Sequence, residues 1–371
     1  MKTVDLISYI ENWAPPGAAW DRDNIGLQVG SSKTDIKNVL LALEVTEAVV
    51  NEAIKKKCNF IFTHHPFIFN KLSRINTSGA KGKIIELLIK NNITLFSAHT
   101  NLDFSEGGVS FRLAAKLGLK NTRYLANEKG NQFKVVVFLP KADLEKVSTA
   151  VFEAGGGIIG NYTHCSYRSE GTGSFRGNEK SEPVIGKKEK IEFVEEIKLE
   201  TLVHSWKLKE VLNAVRKAHP YEEPAIDVYP LENENVNYGY GVLGELESPE
   251  SVSEFLSRVS KALKTPALKY CKGKSAKIKT VAVCGGSGAD LIPAAIGARA
   301  DAYVTADIKY HTFQDAENKI YLIDAGHYET EVVVLDEVKK RLEKFVKENK
   351  ANVKIYKFKN STNPVKIFNL K

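Results

Sequence analysis

The feature that most constrains the fold of this sequence is a regular alternation of short apolar runs with amphipathic stretches. In the first third of the chain, the apolar runs NVLLALE, NFIFTHH and ITLFSAHT are separated by the helix-type segments TEAVVNEAIKKK and AKGKIIELLIKNN. Short apolar strands that alternate with helices predict a largely parallel sheet covered on both faces. The last third repeats this rhythm with the strands TVAVCGG, AYVTAD and IYLIDAG. We therefore expect an α/β fold.

The two outer thirds also resemble each other in order, as an internal duplication would. FIFTHH aligns with AYVTAD, and NNITLFSAHTNLD aligns with NKIYLIDAGHYETE with one gap. In this alignment the pair His99 and Asp103 matches the pair His327 and Glu331. Each half thus places a histidine four residues before an acid, just after the equivalent strand. We expect two similar α/β halves that form one core with mostly parallel sheets.

The middle of the chain follows a different pattern. It reads strand–helix–strand–strand–helix–strand, the order of a ferredoxin-like split βαβ domain of the α+β class. Such a domain can be inserted between two halves of a core at a loop tip. The predicted domains are an N-terminal half of the α/β core at 1–129, the insert at 130–235 and a C-terminal half at 236–371.

Composition restricts the classes of protein that this chain can belong to. Its 371 residues are too many for one ordinary core, and 43% hydrophobic with 26% charged residues is typical of soluble globular proteins. No window approaches the roughly 18 to 20 apolar residues that a membrane span needs, and the N-terminus does not read as a signal peptide. We therefore expect a cytoplasmic protein without a membrane partner. The four cysteines are far apart, form no CxxC pair and read as free thiols: Cys58, Cys165, Cys271 and Cys284.

The formal net charge of +8 raises the question of a nucleic-acid partner. The lysines are diffuse, however, and most lie beside acids on the same predicted element. Basic residues are not clustered with aromatic residues as in single-strand binding proteins. The sequence thus favours solvated lysine-rich surfaces over nucleic-acid binding.

Two adjacent histidines, His64 and His65, end a predicted apolar strand. Neighbouring side chains on a strand point to opposite faces, so the pair either lies in a surface turn or serves a site that needs two imidazoles. In doubly wound sheets, functional groups gather at the carboxyl ends of the strands. Five of the eight histidines and three acids follow parallel strands in this way, which favours a metal site: His64, His65, His99, His311 and His327, with Asp103, Asp307 and Glu331.

Five of these side chains are candidate metal ligands: His64, His65, Asp103, His327 and Glu331. One zinc ion needs only three or four protein ligands, and the two adjacent histidines diverge, so we predict two divalent ions per subunit. Imidazole and carboxylate ligands suit Zn²⁺, Mn²⁺, Fe²⁺ or Co²⁺ rather than Ca²⁺, and we expect Zn²⁺, with Mn²⁺ or Fe²⁺ as alternatives. We assign His65 and Asp103 to one ion and His64 and His327 to the other, with Glu331 bridging.

Three further residues are candidate catalytic groups. His99 could orient a ligand or shuttle protons, or it could be a structural histidine. Asp307 and His311 follow a strand on the same rim and could touch substrate. In DNIGLQVG, Asp23 and Asn24 read as simple turn formers.

Five segments in a fixed order resemble a known family: WDRDNIGLQVG, FTHHP, SAHTNLD, TADIKYH and DAGHYETE. They are similar to the dinuclear-metal family called Nif-three-like, whose members are often labelled GTP cyclohydrolase 1 type 2 homologues. GNYTHCSYRSEGTGSF and AHPYEEPAIDVYPL resemble the PII/CutA-like domain that some bacterial members carry. The resemblance implies a toroidal homohexamer with metal sites facing an inner cavity, and the same five metal ligands.

These observations predict a hydrolase-type protein that uses a metal-activated water. The family label suggests a GTP cyclohydrolase-like reaction, and another nucleotide, phosphoester or small-molecule substrate is equally compatible with two metals. The alternative is a non-enzymatic metal-binding ring that acts as a regulator or adaptor.

Overall fold

The structure, a computed structural model, describes residues 1–368 and divides into two compact units. The first unit combines Met1–Ala126 with the chain from Tyr238 to the last described residue, and the second is Asn127–Asn237. Within the described residues, no helix is both long enough and apolar enough to cross a lipid bilayer.

The first unit is built around two sheets. Its elements before the second unit are α1 (Thr3–Trp13), β1 (Gly26–Val29), β2 (Asn38–Ala42), α2 (Glu47–Lys55), β3 (Phe60–Thr63), α3 (Ala80–Lys90), β4 (Thr94–Ser97), α4 (Thr100–Asp103), α5 (Val109–Lys116) and β5 (Lys120–Lys129). The numbering continues through the second unit, which is described below. The elements of the first unit that follow the second unit are β10 (Glu234–Glu250), α8 (Val252–Leu263), β11 (Lys269–Tyr270), β12 (Ile278–Ser287), α9 (Ile292–Gly297), β13 (Ala302–Ala306), α10 (Tyr310–Ala316), β14 (Tyr321–Asp324), α11 (His327–Glu331), α12 (Val334–Glu348) and β15 (Lys354–Lys357).

The first sheet has the strand order β1-β4-β3-β2-β15, in which β15, β2, β3 and β4 are parallel and β1 is antiparallel to β4. Helices cover both faces, because alternate strand residues point to opposite sides. Phe60 and Phe62 pack in a cluster with Leu6 of α1 and Val338 of α12. Ile61 packs in another cluster with residues of α2 and α3. This double coverage explains why the strands are apolar throughout.

The second sheet has the order β11-β14-β13-β12-β10-β5, with β12, β13 and β14 parallel at its centre. Four strands of each sheet repeat one arrangement, an antiparallel edge strand beside three parallel strands, as the duplication predicts. Thr63 of β3 is in register with Ser97 of β4, and Thr305 of β13 is in register with Asp324 of β14. The predicted α/β fold class with two similar halves is confirmed.

The second unit has the predicted strand–helix–strand–strand–helix–strand order. Its elements are β6 (Gln132–Pro140), α6 (Leu144–Glu153), β7 (Ser166–Arg176), β8 (Ile191–His204), α7 (Leu208–Ala218) and β9 (Ile226–Leu231). The antiparallel sheet has the order β7-β8-β6-β9. Buried valines and leucines of β6 and β8 pack against both helices, including Val147 and Val211. This unit therefore has a hydrophobic core of its own.

One predicted element differs from the structure. The sequence from Glu329 to Lys350 reads as one long helix, but α11 ends at Glu331 and α12 begins at Val334. The break falls in three consecutive valines, whose branched side chains lower helix propensity. Because of this break, α11 is a short separate helix that comes directly after β14 and is not the first turn of α12.

Candidate metal centre

The turn after β3 presents both adjacent histidines to one place. The backbone N–H groups of His64 and His65 both donate to the carbonyl oxygen of Leu43, at 3.1 and 2.9 Å. The Nδ1 atom of His64 donates to the Ala98 carbonyl at 2.8 Å, because a carbonyl oxygen can only accept. The Nδ1 atom of His65 pairs with the Glu44 carboxylate at 3.1 Å. Both Nε2 atoms are left for other partners.

Glu331 lies at the middle of the cluster and is almost fully buried. Its carboxylate is 2.8 Å from Nε2 of His65, 3.1 Å from Nε2 of His327 and 3.8 Å from Nε2 of His64. Asp103 of α4 approaches Nε2 of His64 at 3.5 Å. All five predicted ligands therefore meet at one site.

The structure shows which side chains of the cluster are adjacent. His64 is beside Asp103, whereas Nε2 of His65 is 3.3 Å from Nε2 of His327. The assignment of these ligands to one ion or the other stays a prediction. The two adjacent rings of His64 and His65 lie close together, with centroids 5.1 Å apart, because the pair stands in the turn after β3 rather than within the strand.

Two buried atoms of the cluster have no hydrogen-bond partner among the described residues: Nε2 of His64 and Oδ1 of Asp103. Buried polar atoms are normally paired, because an unpaired one costs free energy. Both are electron-pair donors of the types that divalent metals prefer, so the donor set fits a metal ion. The ligand atoms of His64, His65 and His99 lie within 4.8 Å of one another, as do those of His65, His327 and Glu331.

A glycine of β12 leaves the room that Glu331 occupies. A Cβ atom on Gly286 would lie 2.1 Å from Oε1 of Glu331 and 3.4 Å from Cε1 of His327. Gly286 also has a φ of +65°, which favours glycine. Its N–H donates to the Thr330 hydroxyl at 3.0 Å, which ties this strand end to α11. Gly286 therefore shapes the cluster, because no other residue type would leave room for the Glu331 carboxylate.

His99 is held by a carboxylate that sequence analysis assigned only to a turn. Asp23 accepts from His99 Nδ1 at 2.9 Å, and from the backbone N–H and hydroxyl of Thr100 at 3.1 and 2.5 Å. Burial opposes ionisation of Asp23, but these hydrogen bonds outweigh it and lower its pKa to about 2. Asp23 also accepts from the N–H of Asn24, so it does form a turn, but its main role is to orient His99.

The other two candidate catalytic residues differ in position. Oδ2 of Asp307 is 2.7 Å from Nδ1 of His327, so Asp307 orients a predicted ligand. His311 is exposed on α10, and its Nδ1 pairs with Gln314 at 3.0 Å rather than with a member of the cluster. Glu44 was not predicted at all. It follows β2, so the rule that functional groups gather at strand ends would have found it.

Burial and charge set the protonation of the cluster when no metal is bound. Burial lowers the pKa of His64 to about 3. Burial also opposes protonation of His65, but the carboxylates of Glu331 and Glu44 outweigh it and raise the pKa of His65 to about 10. The Glu331 and Asp307 carboxylates outweigh the opposing effect of burial and raise the pKa of His327 to about 9. The metal-free cluster therefore keeps two protons that a metal ion would displace.

The cysteines do not take part in this chemistry. All four are free among the described residues, and burial raises the pKa of Cys58 and of Cys284 to about 12. Both thiols therefore stay protonated at neutral pH and are poor metal ligands.

The chain is similar to known proteins over nearly its whole length. The family model Duf34/NIF3 (NGG1p interacting factor 3) matches residues 1–364. A Halalkalibacterium halodurans protein named GTP cyclohydrolase 1 type 2 homolog is 40% identical over 361 residues, covering 97% of each chain. A Bacillus subtilis protein of the same name is 38% identical, covering 97% of this chain and 96% of that one. A solved structure of a Bacillus cereus protein related to NIF3 superposes with a TM-score of 0.84 at 40% identity and covers 99% of each chain. This chain therefore belongs to the Duf34/NIF3 family.

Proposed function

We propose that this protein is a hydrolase with a dinuclear metal centre, Zn²⁺ being the preferred ion and Mn²⁺ or Fe²⁺ the alternatives. The observation that carries the proposal is that two buried donor atoms, Nε2 of His64 and Oδ1 of Asp103, have no hydrogen-bond partner among the described residues and lie beside the buried Glu331 carboxylate. His64 with Asp103 would hold one ion, and His65 with His327 the other. Glu331 would be shared, since its carboxylate lies near all three histidines.

Two bound ions would supply Lewis acidity that acidifies water and polarises an electrophile. The side chains around them have separate tasks. Asp23 holds Nδ1 of His99, so that Nε2 can accept a proton from the attacking water and return it to the leaving group. Asp307 orients His327, and His311 on the exposed rim would contact the substrate.

The proposed substrate is a nucleotide. GTP is the preferred candidate, because relatives at 40% and 38% identity carry the name GTP cyclohydrolase 1 type 2 homolog. Water would add to an electrophilic carbon of the base or to a phosphorus atom. A different phosphoester or small molecule would use the same groups.

Metal content and turnover together test this proposal. The protein purified without chelator should carry close to two ions per chain, and the His64→Ala, His65→Ala double variant close to none. The exposed His164→Ala variant serves as the control and should keep its metal. Wild-type protein should then hydrolyse GTP or another nucleotide, and His99→Gln should lower turnover by about 10² or more without loss of metal.

Two outcomes would overturn parts of the proposal. Absence of metal from wild-type protein, even after reconstitution with zinc, manganese or iron, would contradict the proposed metal centre. Full metal content without hydrolysis of any nucleotide would contradict the nucleotide substrate. If a panel of other phosphoesters and small molecules were not hydrolysed either, the regulator or adaptor alternative would replace the enzyme.

We further propose that the chain works as a homohexamer in the cytoplasm, as its resemblance to the family implies. Several large apolar side chains of the first unit are exposed, among them Trp20 and Phe69. Exposed apolar residues of this size are common at subunit interfaces. Light scattering should give six times the 41.2 kDa mass of one chain, and a monomer would contradict this assembly.

A further inference from the structure

The second unit contains a cavity of 470 Å³ that plays no part in the proposed chemistry. It lies between the β7–β8 hairpin, with its connection 177–190, and the turn that follows α7. All the residues that line it belong to the second unit. Its volume is within the range of roughly 300–1,000 Å³ that is usual for small-molecule sites.

Aromatic rings form part of the wall. Phe138, Phe175 and Tyr221 line the cavity, together with Pro183 and Val184 of the connection. The Phe175 and Tyr221 rings are tilted, with centroids 6.4 Å apart. These surfaces suit a ligand with a flat or apolar body, and their π-faces attract cations.

The charged lining residues are mainly acidic, although the whole chain has a net charge of +8. Only one basic residue lines the cavity, Arg176, and its guanidinium group is paired with Glu189 at 2.9 Å. Such a lining repels phosphates and carboxylates and attracts cations. Four glutamates are in the lining: Glu182, Glu196, Glu222 and Glu223.

The carboxylate of Glu196 occupies space that a glycine of the neighbouring strand leaves open. It projects over Gly173 of the neighbouring strand, where a Cβ atom would lie only 2.3 Å from Oε2 of Glu196. The Tyr221 hydroxyl is shielded from solvent and has no partner of full hydrogen-bonding geometry among the described residues. Burial, with the Glu196 carboxylate close by, raises the pKa of Tyr221, so the hydroxyl stays protonated. A carboxylate and a phenol thus meet at one end of the cavity.

His219 keeps Tyr221 in this position. Its Nε2 donates to the carbonyl oxygen of Phe138 at 2.9 Å, and its Nδ1 accepts from the backbone N–H of Tyr221 at 3.1 Å. Both nitrogens of this buried imidazole are therefore used, which makes it a structural histidine rather than a metal ligand. The wall of the cavity is consequently preformed.

We propose that this cavity binds a small organic cation, in which an amidinium, guanidinium or ammonium head pairs with Glu196 and an apolar body packs on Phe175 and Tyr221. A charge-assisted hydrogen bond to a partly buried carboxylate and contact with aromatic faces are the two interactions that such a ligand needs. The Duf34/NIF3 chain thus has a second ligand site, independent of the metal centre.

Three ligands of the same shape but different charge test the proposal on the full-length protein. Benzamidinium is cationic, benzamide neutral and benzoate anionic. Calorimetry should show binding of benzamidinium and at least about tenfold weaker binding of the other two. A crystal soaked with benzamidine should show it in the cavity, with the amidinium group at Glu196.

Variants separate this site from non-specific attraction. Glu196→Gln should weaken benzamidinium binding about tenfold or more, and Gly173→Ala should weaken it by displacing the carboxylate without changing any charge. Glu195→Gln is the matched control, because Glu195 is the adjacent residue on the opposite face of β8 and bonds Thr172 at 3.0 Å. The proposal is wrong if benzamidinium does not bind, if benzoate binds as well, or if Glu195→Gln has the same effect as Glu196→Gln.

Discussion

At the scale of single residues, the four histidines in and beside the candidate metal centre share one arrangement. Each uses its Nδ1 atom for a hydrogen bond to a neighbouring oxygen, which leaves Nε2 for the centre. For His64 and His65 the partners are the Ala98 carbonyl and Glu44. The partners of the other two are carboxylates: Asp23 for His99 and Asp307 for His327. These bonds orient the rings before any metal arrives.

The raised pKa values of His65 and His327 predict a pH-dependent metal affinity. Each imidazole keeps a proton at neutral pH in the metal-free protein, since the pKa values are about 10 and about 9. Metal and proton compete for Nε2, so affinity should rise with pH by about tenfold per unit for each proton displaced. The rise should continue from pH 6 towards pH 9. Competition titrations with a chelating dye would measure this, and an affinity that does not change over that interval would contradict it.

Glu44→Gln should weaken metal binding, although Glu44 is not one of the predicted ligands. The substitution removes the charge that holds Nδ1 of His65, and loss of such a partner typically costs 10- to 100-fold in metal affinity. Glu47→Gln is the control, because Glu47 is exposed and pairs with Lys83 on the neighbouring helix rather than with a histidine of the cluster. Equal metal affinities for the two variants would show that Glu44 does not orient His65.

At the scale of elements, the centre is formed where strand ends meet the first turns of short helices. α4 follows β4 and carries Asp103, and α11 follows β14 and carries Glu331. The Thr330 hydroxyl donates to backbone carbonyls of α11 and accepts from Gly286, so the end of β12 and α11 move together. The geometry of Glu331 therefore depends on a turn that contributes no ligand.

Gly286→Ala tests this dependence. The added Cβ would clash with Oε1 of Glu331 at 2.1 Å, and the φ of +65° would become strained. We expect a loss of about 1–3 kcal/mol in the free energy of unfolding, together with reduced metal content. Chemical denaturation and metal analysis would measure the two effects.

Gly297→Ala is the matched control for this substitution. Gly297 ends α9, and a Cβ atom there would meet nothing within 4 Å. This variant should be neutral or more stable by up to about 1 kcal/mol, because alanine favours the helix. If both variants behaved alike, the close approach at Gly286 would have no consequence.

At the scale of the whole molecule, each of the two units has its own hydrophobic clusters. The first unit needs both ends of the chain, because β15 pairs with β2 in parallel and extends the first sheet. The second unit buries its own cluster between one sheet face and two helices. Neither core requires apolar residues from the other for the clusters described.

Excision of residues 127–237 should therefore leave a folded first unit. Ala126 and Gly239 are neighbours, since a Cβ on Gly239 would lie 2.5 Å from the Ala126 carbonyl oxygen, so a short Gly-Ser hairpin can join the strands. We expect a cooperative thermal transition and unchanged metal content. Circular dichroism and metal analysis would check both, and an unfolded product would show that the first unit depends on the second. Altered activity with normal metal content would instead show that the second unit influences the reaction.

Much of this organisation was predictable from sequence, because it depends on local periodicity. Apolar runs such as FIFT predict buried parallel strands, and the fold class and the family were both confirmed. Periodicity also brings strand ends to one rim, which is why ligand candidates could be named without coordinates. The ligand roles themselves stay predictions until metal is measured. The helix break after Glu331 was missed because helical spacing continues across it.

What sequence alone determined about this protein is its set of strands and helices, its inserted unit and the residue types at the strand ends. Only the tertiary structure decided which side chains touch: Asp23 with His99, Glu44 with His65, and His64 with Asp103. The physical reason is that element formation follows from spacing along the chain. Contacts between elements depend instead on register, crossover and side-chain direction, which sequence spacing does not encode.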